Sequence, residues 1–341
     1  MRIKSFDSKN LDVLSGGHMS ITNAKRAIVS VSGTNLTKDE CILFQKYPPL
    51  GFILFKRNIV DLEQVQGLIK QLKECIGRDN LLFLVDQEGG RVARLSPPNF
   101  SATSSAGFFG TKAREDLESA KKLAYEEYYS MALQLKACGF NIDCFPLGDL
   151  LFEGASNVIG DRSFGSDIKI VESLCRVADS ALKAAKIQSV LKHIPGHGRA
   201  IVDSHFKLPI VDADLETLES SDFKVFSDLR DFKVAMTAHI IFKALDDKFP
   251  TTISRNTIDY IREKIGFHGI LLTDCISMKA ISEFGTIGEV ANMSLEAGCD
   301  IVLYCPGDMS GNEAVLESVS YACDSLWSKI ESLAWNENYT G

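Results

Sequence analysis

Short apolar runs recur along the chain, each separated from the next by a longer stretch in which apolar residues return every three or four positions. The runs Ala27–Val31, Gly51–Phe55, Leu81–Asp86, Asn141–Phe145, Ser189–His193, Val234–His239, Gly269–Asp274 and Asp300–Tyr304 read as buried strands. Between them, Leu62, Val65, Leu68, Ile69, Leu72 and Ile76 fall on one helical face. Ile170, Val171, Leu174, Val177, Ala178, Ala181 and Leu182 do the same. Eight strand candidates, most followed by a helix, predict an α/β chain folded as a TIM-type (β/α)8 barrel rather than an open sheet. The opening units are the least regular, so a departure from ideal topology is expected there.

Polar residues punctuate this pattern at one end of the strands. Five candidates finish on or near Asp86, Asp143, His193, His239 and Asp274. In a (β/α)8 barrel the C-terminal rim gathers the loops around one mouth, so reactive groups at strand ends converge there. Any one of them has a plain alternative as a strand-end group meeting water or capping a helix. The longest irregular stretches, Ser96–Gly110 and Leu147–Gly165, follow strands and read as rim loops. No repeat or linker divides the chain. The expectation is one barrel domain over 21–335, a disordered extension over 1–20 and a frayed polar tail from Asn336 to Gly341.

Composition narrows the partners. The 341 residues carry 37 basic and 45 acidic side chains, a net charge of −8 that argues against nucleic acid, which selects a basic face. Hydrophobic residues make up 45% of the chain, enough for a sizeable core. The nine Cys form no CxxC pair and read as free thiols in a reducing compartment. There is no apolar stretch of signal-peptide or membrane-spanning length. A cytoplasmic protein, monomeric and independent of membranes, is expected.

The densest chemistry is Lys192-His193-Ile194-Pro195-Gly196-His197-Gly198, followed by Asp203-Ser204-His205. Directly after an apolar run, this charge must face a solvated or ligand-filled mouth, because burying it unpaired is costly. An Asp two residues before a His can fix the ring tautomer and leave the other nitrogen for proton transfer. His193, His197, Asp203, His205 and His239 are also the candidates for a metal site, but HxH and HExxH patterns are absent and Lys192 would set a cation beside the ion. Asp86-Gln87-Glu88-Gly89-Gly90-Arg91, continuing to Arg94, suits sugar hydroxyls better than phosphate; the alternative is a structural salt bridge. Gly160-Asp161-Arg162-Ser163-Phe164-Gly165 presents Arg162 on a turn, and Asp274 in Thr273-Asp274-Cys275 is a candidate nucleophile or base.

Together these motifs resemble glycoside hydrolase family 3, and within it the single-domain bacterial β-N-acetylglucosaminidases of peptidoglycan recycling. KHIPGHG with its downstream D-S-H is similar to the signature K-H-[FI]-P-G-[HL]-G-x(4)-D-[ST]-H; VDQEGGRVAR, GDRSFG and TDCISM match in the same order. The resemblance covers roughly 51–306. It implies Asp274 as nucleophile, His205 as acid/base and Asp203 as its orienting partner. It implies Asp86, Arg94, Arg162, Lys192 and His193 as ligands of the terminal sugar, with no metal or cofactor. The activity implied is a retaining exo-hydrolysis that releases GlcNAc from GlcNAc-1,6-anhydro-MurNAc or its peptide-bearing forms. Cys275 departs from the acidic or small residue common at that position. Three alternatives stand beside this reading: a phosphorylase on the same scaffold, a metal-dependent barrel hydrolase, and a catalytically silent muropeptide sensor.

Overall fold

The computed structural model describes residues 23–204 and 207–333. The expected extension over 1–20 and the tail from Asn336 lie outside the described residues, as does His205.

Nine strand segments build one parallel sheet: β1 (Lys25–Val29), β2 (Pro49–Leu54), β3 (Leu82–Val85), β4 (Ile142–Asp143), β5 (Gln188–Ser189), β6 (Leu191–Ile194), β7 (Val234–Thr237), β8 (Ile270–Cys275) and β9 (Ile301–Leu303). Each pairs with its sequence neighbour except β5 with β6, and β1 pairs with β9. β5 and β6 are one run interrupted at Val190, whose N–H lies 3.0 Å from the carbonyl oxygens of both Asp143 and Phe145. The run therefore bonds β4 on one side and β7 on the other, which closes an eight-membered barrel. All eight expected strands are present. The expected irregularity is elsewhere: β1 to β3 pair in simple parallel order, with one register shift between Lys25 and Ile28. The unusual positions are the two-residue β4 and the break at Val190.

Alternation along each strand divides the apolar residues between two cores. Ile28, Ile53, Leu82, Leu84, Val234, Met236, Ile270, Leu272, Ile301 and Leu303 point into the barrel. Val29, Phe52, Leu54, Phe83, Val85, Ala235, Leu271 and Val302 point outward against the helices. Helix Leu62–Ile76 is opened by the Asp61 side chain and closed by Gly77 in the left-handed region, and buries Val65, Leu68, Ile69, Leu72 and Ile76. Leu62, expected on that face, is its first residue and is exposed. Helix Ile168–Ala184 is capped by Asp167 and buries Val171, Leu174, Ala178, Ala181 and Leu182.

The N-terminal end of the barrel is sealed by helix Asp324–Glu331. Its Leu326, Trp327 and Ile330, with Leu333 beyond it, join the interior core. Lys329 anchors it 3.7 Å from the Asp300 carboxylate at the entrance to β9. Among the described residues no helix is long and apolar enough to cross a membrane. The free-thiol expectation needs one correction: Cys41 and Cys75, on facing helices, form a disulfide. The thiol argument for a reducing compartment therefore does not hold for the whole chain. Cys138, Cys144, Cys175, Cys275 and Cys299 are buried free thiols, and Cys305 and Cys323 are free but less covered.

Candidate active site

The C-terminal rim opens into a cleft of about 730 Å³, inside the range usual for small-molecule sites. Asp86, Arg94, Arg162, Lys192, His193, Asp203 and Asp274 all line it. Residues more than 180 positions apart thus meet at one mouth, because parallel strands deliver their C-terminal ends to the same side.

The floor of the cleft is an ion network. Lys192 Nζ lies 3.0 Å from Asp86 Oδ1 and 2.7 Å from Glu88 Oε1. Arg162 donates from Nε and Nη2 to the two oxygens of Glu88 at 2.7 and 2.8 Å. Arg94 Nη2 donates to Asp86 Oδ2 at 3.1 Å. Burial alone would push both carboxyls up, but Lys192 with Arg94 holds Asp86 far below its usual range, and Lys192 with Arg162 brings Glu88 down to about 2. For Lys192 burial works toward neutrality, and the two carboxylates outweigh it and keep the ammonium charged. A rigid array of fixed donors and acceptors results, suited to grip a polyhydroxylated ring. Glu88 lines the cleft too, almost fully buried, and holds Arg162 and Lys192 in place.

The Lys192–His193 and Ile194–Pro195 peptide bonds are cis. Gly196 has φ +141°, and a Cβ at Gly198 would stand 1.9 Å from the Leu150 carbonyl oxygen, so both glycines are required for the turn. The turn closes on Asp149, a residue the sequence reading did not single out. Its buried carboxylate accepts from the backbone N–H of His193 at 3.2 Å, that of His197 at 2.7 Å, and His193 Nδ1 at 2.7 Å. Burial opposes the charge on Asp149, but His193 and these donors hold its carboxyl below the usual range. With Nδ1 engaged, His193 keeps Nε2 for the cleft. His197 is buried, with Nε2 3.1 Å from Ser204 Oγ; burial and the neighbouring His193 push it down to about 4. It stays neutral and braces the loop that carries Asp203.

Asp274 stands at the end of β8 and lines the cleft, its Oδ1 accepting from the Cys275 N–H at 2.7 Å. Burial would raise it, yet His239, His193, that N–H and Lys192 together hold its carboxyl below the usual range. A carboxylate that stays ionised at the mouth of a cleft can act as a nucleophile. Cys275 packs beside it: its sulfur is 3.0 Å from Ser277 Oγ and accepts from the Cys305 N–H at 3.2 Å.

Two of the five strand-end residues do not reach the cleft. Asp143 is fully buried and accepts from the Gln87 N–H at 2.9 Å, and burial pushes its carboxyl well above the usual range. His239 is buried between Thr252 Oγ1 (2.7 Å) and the Cys275 carbonyl oxygen (3.0 Å). It supports the strand under Asp274. The candidate metal ligands are likewise divided: His193, His197 and His239 each engage different protein partners. Among the described residues no group of three or more His, Cys, Asp or Glu is arranged to hold a metal ion.

The profile of the glycosyl hydrolase family 3 N terminal domain matches residues 26–331. A beta-hexosaminidase of Bordetella pertussis is 35% identical over 286 residues, covering 83% of this chain and 80% of the relative. One from Psychromonas ingrahamii is 32% identical over 314 residues, covering 91% of each. Among solved structures, NagZ of Neisseria gonorrhoeae in complex with N-trifluoroacetyl-D-glucosamine superposes with a TM-score of 0.83 at 29% identity, over 94% of this chain and 91% of that one.

Proposed function

The chain belongs to glycosyl hydrolase family 3, and from that premise we propose that it is a retaining exo-β-N-acetylglucosaminidase with Asp274 as its nucleophile. The observation that carries this reading is the ionised Asp274 carboxylate facing the same cleft as the Asp86–Lys192–Glu88–Arg162 network. In this reading Asp86, Arg94, Arg162, Lys192 and His193 hold the hydroxyls of a terminal GlcNAc and set its anomeric carbon over Asp274. The carboxylate attacks that carbon and forms a covalent glycosyl–enzyme, while His205, oriented by Asp203, gives its proton to the departing oxygen. Water then loses a proton to His205, attacks the same carbon and frees both GlcNAc and Asp274. A neutral imidazole base avoids placing a second anion against the incoming water, and this distinguishes the pair from the usual two carboxylates. Asp203 lines the cleft, as the role requires.

The substrate proposed is GlcNAc-1,6-anhydro-MurNAc, with or without its stem peptide, released in cell-wall turnover. The test is turnover of p-nitrophenyl-β-GlcNAc by the wild type and by Asp274→Ala, which is expected to lose at least about 10³-fold in kcat. Comparable rates in the two would remove the nucleophile assignment. His205→Ala should lose less on activated leaving groups, which need little protonation. Product analysis with phosphate present separates hydrolysis (GlcNAc) from phosphorolysis (GlcNAc-1-phosphate).

A further inference from the structure

Of the seven free cysteines among the described residues, only Cys275 and Cys305 line the cleft, and the proposed reaction uses neither. Strands β8 and β9 bring them together. Cys275 ends β8 in register with Leu303 of β9, so Cys305, two residues on, reaches the same rim. The Cys305 N–H donates to the Cys275 sulfur at 3.2 Å, and the two thiols share a hydrogen bond. Ser277 Oγ stands 3.0 Å from the Cys275 sulfur. The Arg57 guanidinium, held 2.6 Å from the Cys305 carbonyl oxygen, brings a positive charge to the pair. Hydrogen-bond donors beside a cation are the surroundings that favour a thiolate. The contact with Cys305 and the Ser277 bonds outweigh burial and hold the Cys275 thiol below its usual range. Burial and the same contact push Cys305 well above its own. Cys275 is 7% exposed and Cys305 half-buried, so a small solute in the cleft reaches both. One thiol is set to attack and its neighbour to follow.

Cys275 is also the backbone frame of Asp274. Its N–H donates to Asp274 Oδ1 at 2.7 Å, and its carbonyl oxygen lies 3.0 Å from His239 Nε2. A disulfide requires its sulfurs at roughly 2.05 Å, well inside a hydrogen-bond contact. Closing the pair therefore draws the end of β8 toward the segment that follows β9. Asp274 moves with its neighbour, and a displaced nucleophile loses rate steeply.

We infer that Cys275 and Cys305 are a dithiol modification site, which a hydroperoxide converts to a disulfide that reversibly switches the cleft off. The Cys275 sulfur attacks the outer oxygen of the hydroperoxide. The O–O bond breaks, the departing oxygen takes the thiol proton, and Cys275 becomes a sulfenic acid. The Cys305 sulfur then attacks the Cys275 sulfur; the S–S bond forms, the S–O bond breaks, and hydroxide leaves with the Cys305 proton as water. The two thiols together lose two electrons, and the hydroperoxide is reduced to an alcohol and water, or to two waters from hydrogen peroxide. The cross-link requires nothing of the substrate, whereas its effect on rate rests on Asp274 as the nucleophile.

The test exposes the whole wild-type chain to hydrogen peroxide and maps its peptides without reduction. Turnover of p-nitrophenyl-β-GlcNAc is measured before oxidation, after it, and after dithiothreitol. A Cys275–Cys305 cross-linked peptide is expected, with kcat lowered by at least about 10-fold and recovered on reduction. Cys305→Ser should form no cross-link and should leave Cys275 as a sulfenic acid that dimedone traps. Absence of the cross-linked peptide in the wild type, or oxidation confined to the exposed Cys323, overturns the inference, and neither result needs a variant to fold. A cross-link with unchanged kcat overturns the coupling to Asp274. An untreated wild type that does not turn over p-nitrophenyl-β-GlcNAc overturns the proposed function instead, and the peptide map still decides the cross-link.

Discussion

At the N-terminal end of the barrel, Leu326, Trp327, Ile330 and Leu333 fill the opening with apolar side chains. At the C-terminal end, some four residues further along the same strands, Asp86, Lys192, His193 and Asp274 surround an open cleft. The middle of most strands is apolar on both faces, and polar residues enter at the C-terminal ends. The difference comes from what each end is closed with. A helix donates apolar groups at the bottom, whereas at the top Lys192 from β6 and Arg162 from the loop after β4 neutralise Asp86 and Glu88 beside β3. One end is held by area removed from water, the other by a network that is stable only while every member is present.

This contrast orders the expected effects. Lys192→Met strikes the network hardest, since Asp86 and Glu88 are then buried against each other with less cation between them. A stability loss of about 4 kcal/mol at pH 7 is expected, with loss of activity. The loss should shrink with acid. Both carboxyls have folded-state pKa values below their unfolded values of roughly 4, so their stabilisation is present above that range and is lost as pH falls toward about 2 for Glu88 and lower for Asp86. Urea unfolding at pH 7 and pH 3 measures this; an equal deficit at both would show that the damage is packing rather than charge.

Trp327→Ala should cost about 3 kcal/mol by emptying the lower plug, and the melting temperature reports it. Since the helix is at the far end from Asp274, kcat well below the melting temperature should not change. A parallel fall in kcat would mean that the two ends are not independent. Smaller effects come from two buried aspartates near the rim. Asp149→Asn should cost about 2 kcal/mol and lower activity, because a charged acceptor for three donors around His193 and His197 is lost. Asp143→Asn should stay within about 1 kcal/mol, because burial pushes that carboxyl toward its neutral form and its bond from the Gln87 N–H survives in an amide. Its pH dependence runs opposite to that of Asp86: a raised pKa favours the fold below roughly pH 4 and loses that benefit as pH rises. Calorimetry on the two variants side by side tests the pair, and equal losses would remove the distinction.

Much of the fold was legible because its signal is local. Eight apolar runs, the helical period of Val65 to Ile76, and caps such as Asp61 and Asp167 are properties of adjacent residues. The residues around Lys192 and Asp274 were legible for a related reason, since charge at the end of an apolar run must find a mouth. Asp149 was not, because its role arises from a turn more than forty residues away folding back onto it. Asp143 and His239 looked like rim residues by position, yet the short β4 and the packing around Thr252 take both into the interior. Leu62 matched the helical face by spacing, and only its place at the first turn left it exposed. The Cys41–Cys75 bond was also hidden, because spacing alone cannot say that two helices face each other.

What the sequence determined by itself was the alternation of strands and helices, the rim to which the polar ends belong, and the residue types available there. Those follow from periodicity and from the cost of burying charge, which act on every chain with this pattern. Only the tertiary structure decided which charges neutralise one another, and therefore which remain free. Glu88 is consumed by Arg162 and Lys192, burial pushes Asp143 toward its neutral form, and the Asp274 carboxylate is left facing the cleft. Charge pairing acts over a few ångströms in space, so it is set by the closure of the barrel and not by distance along the chain.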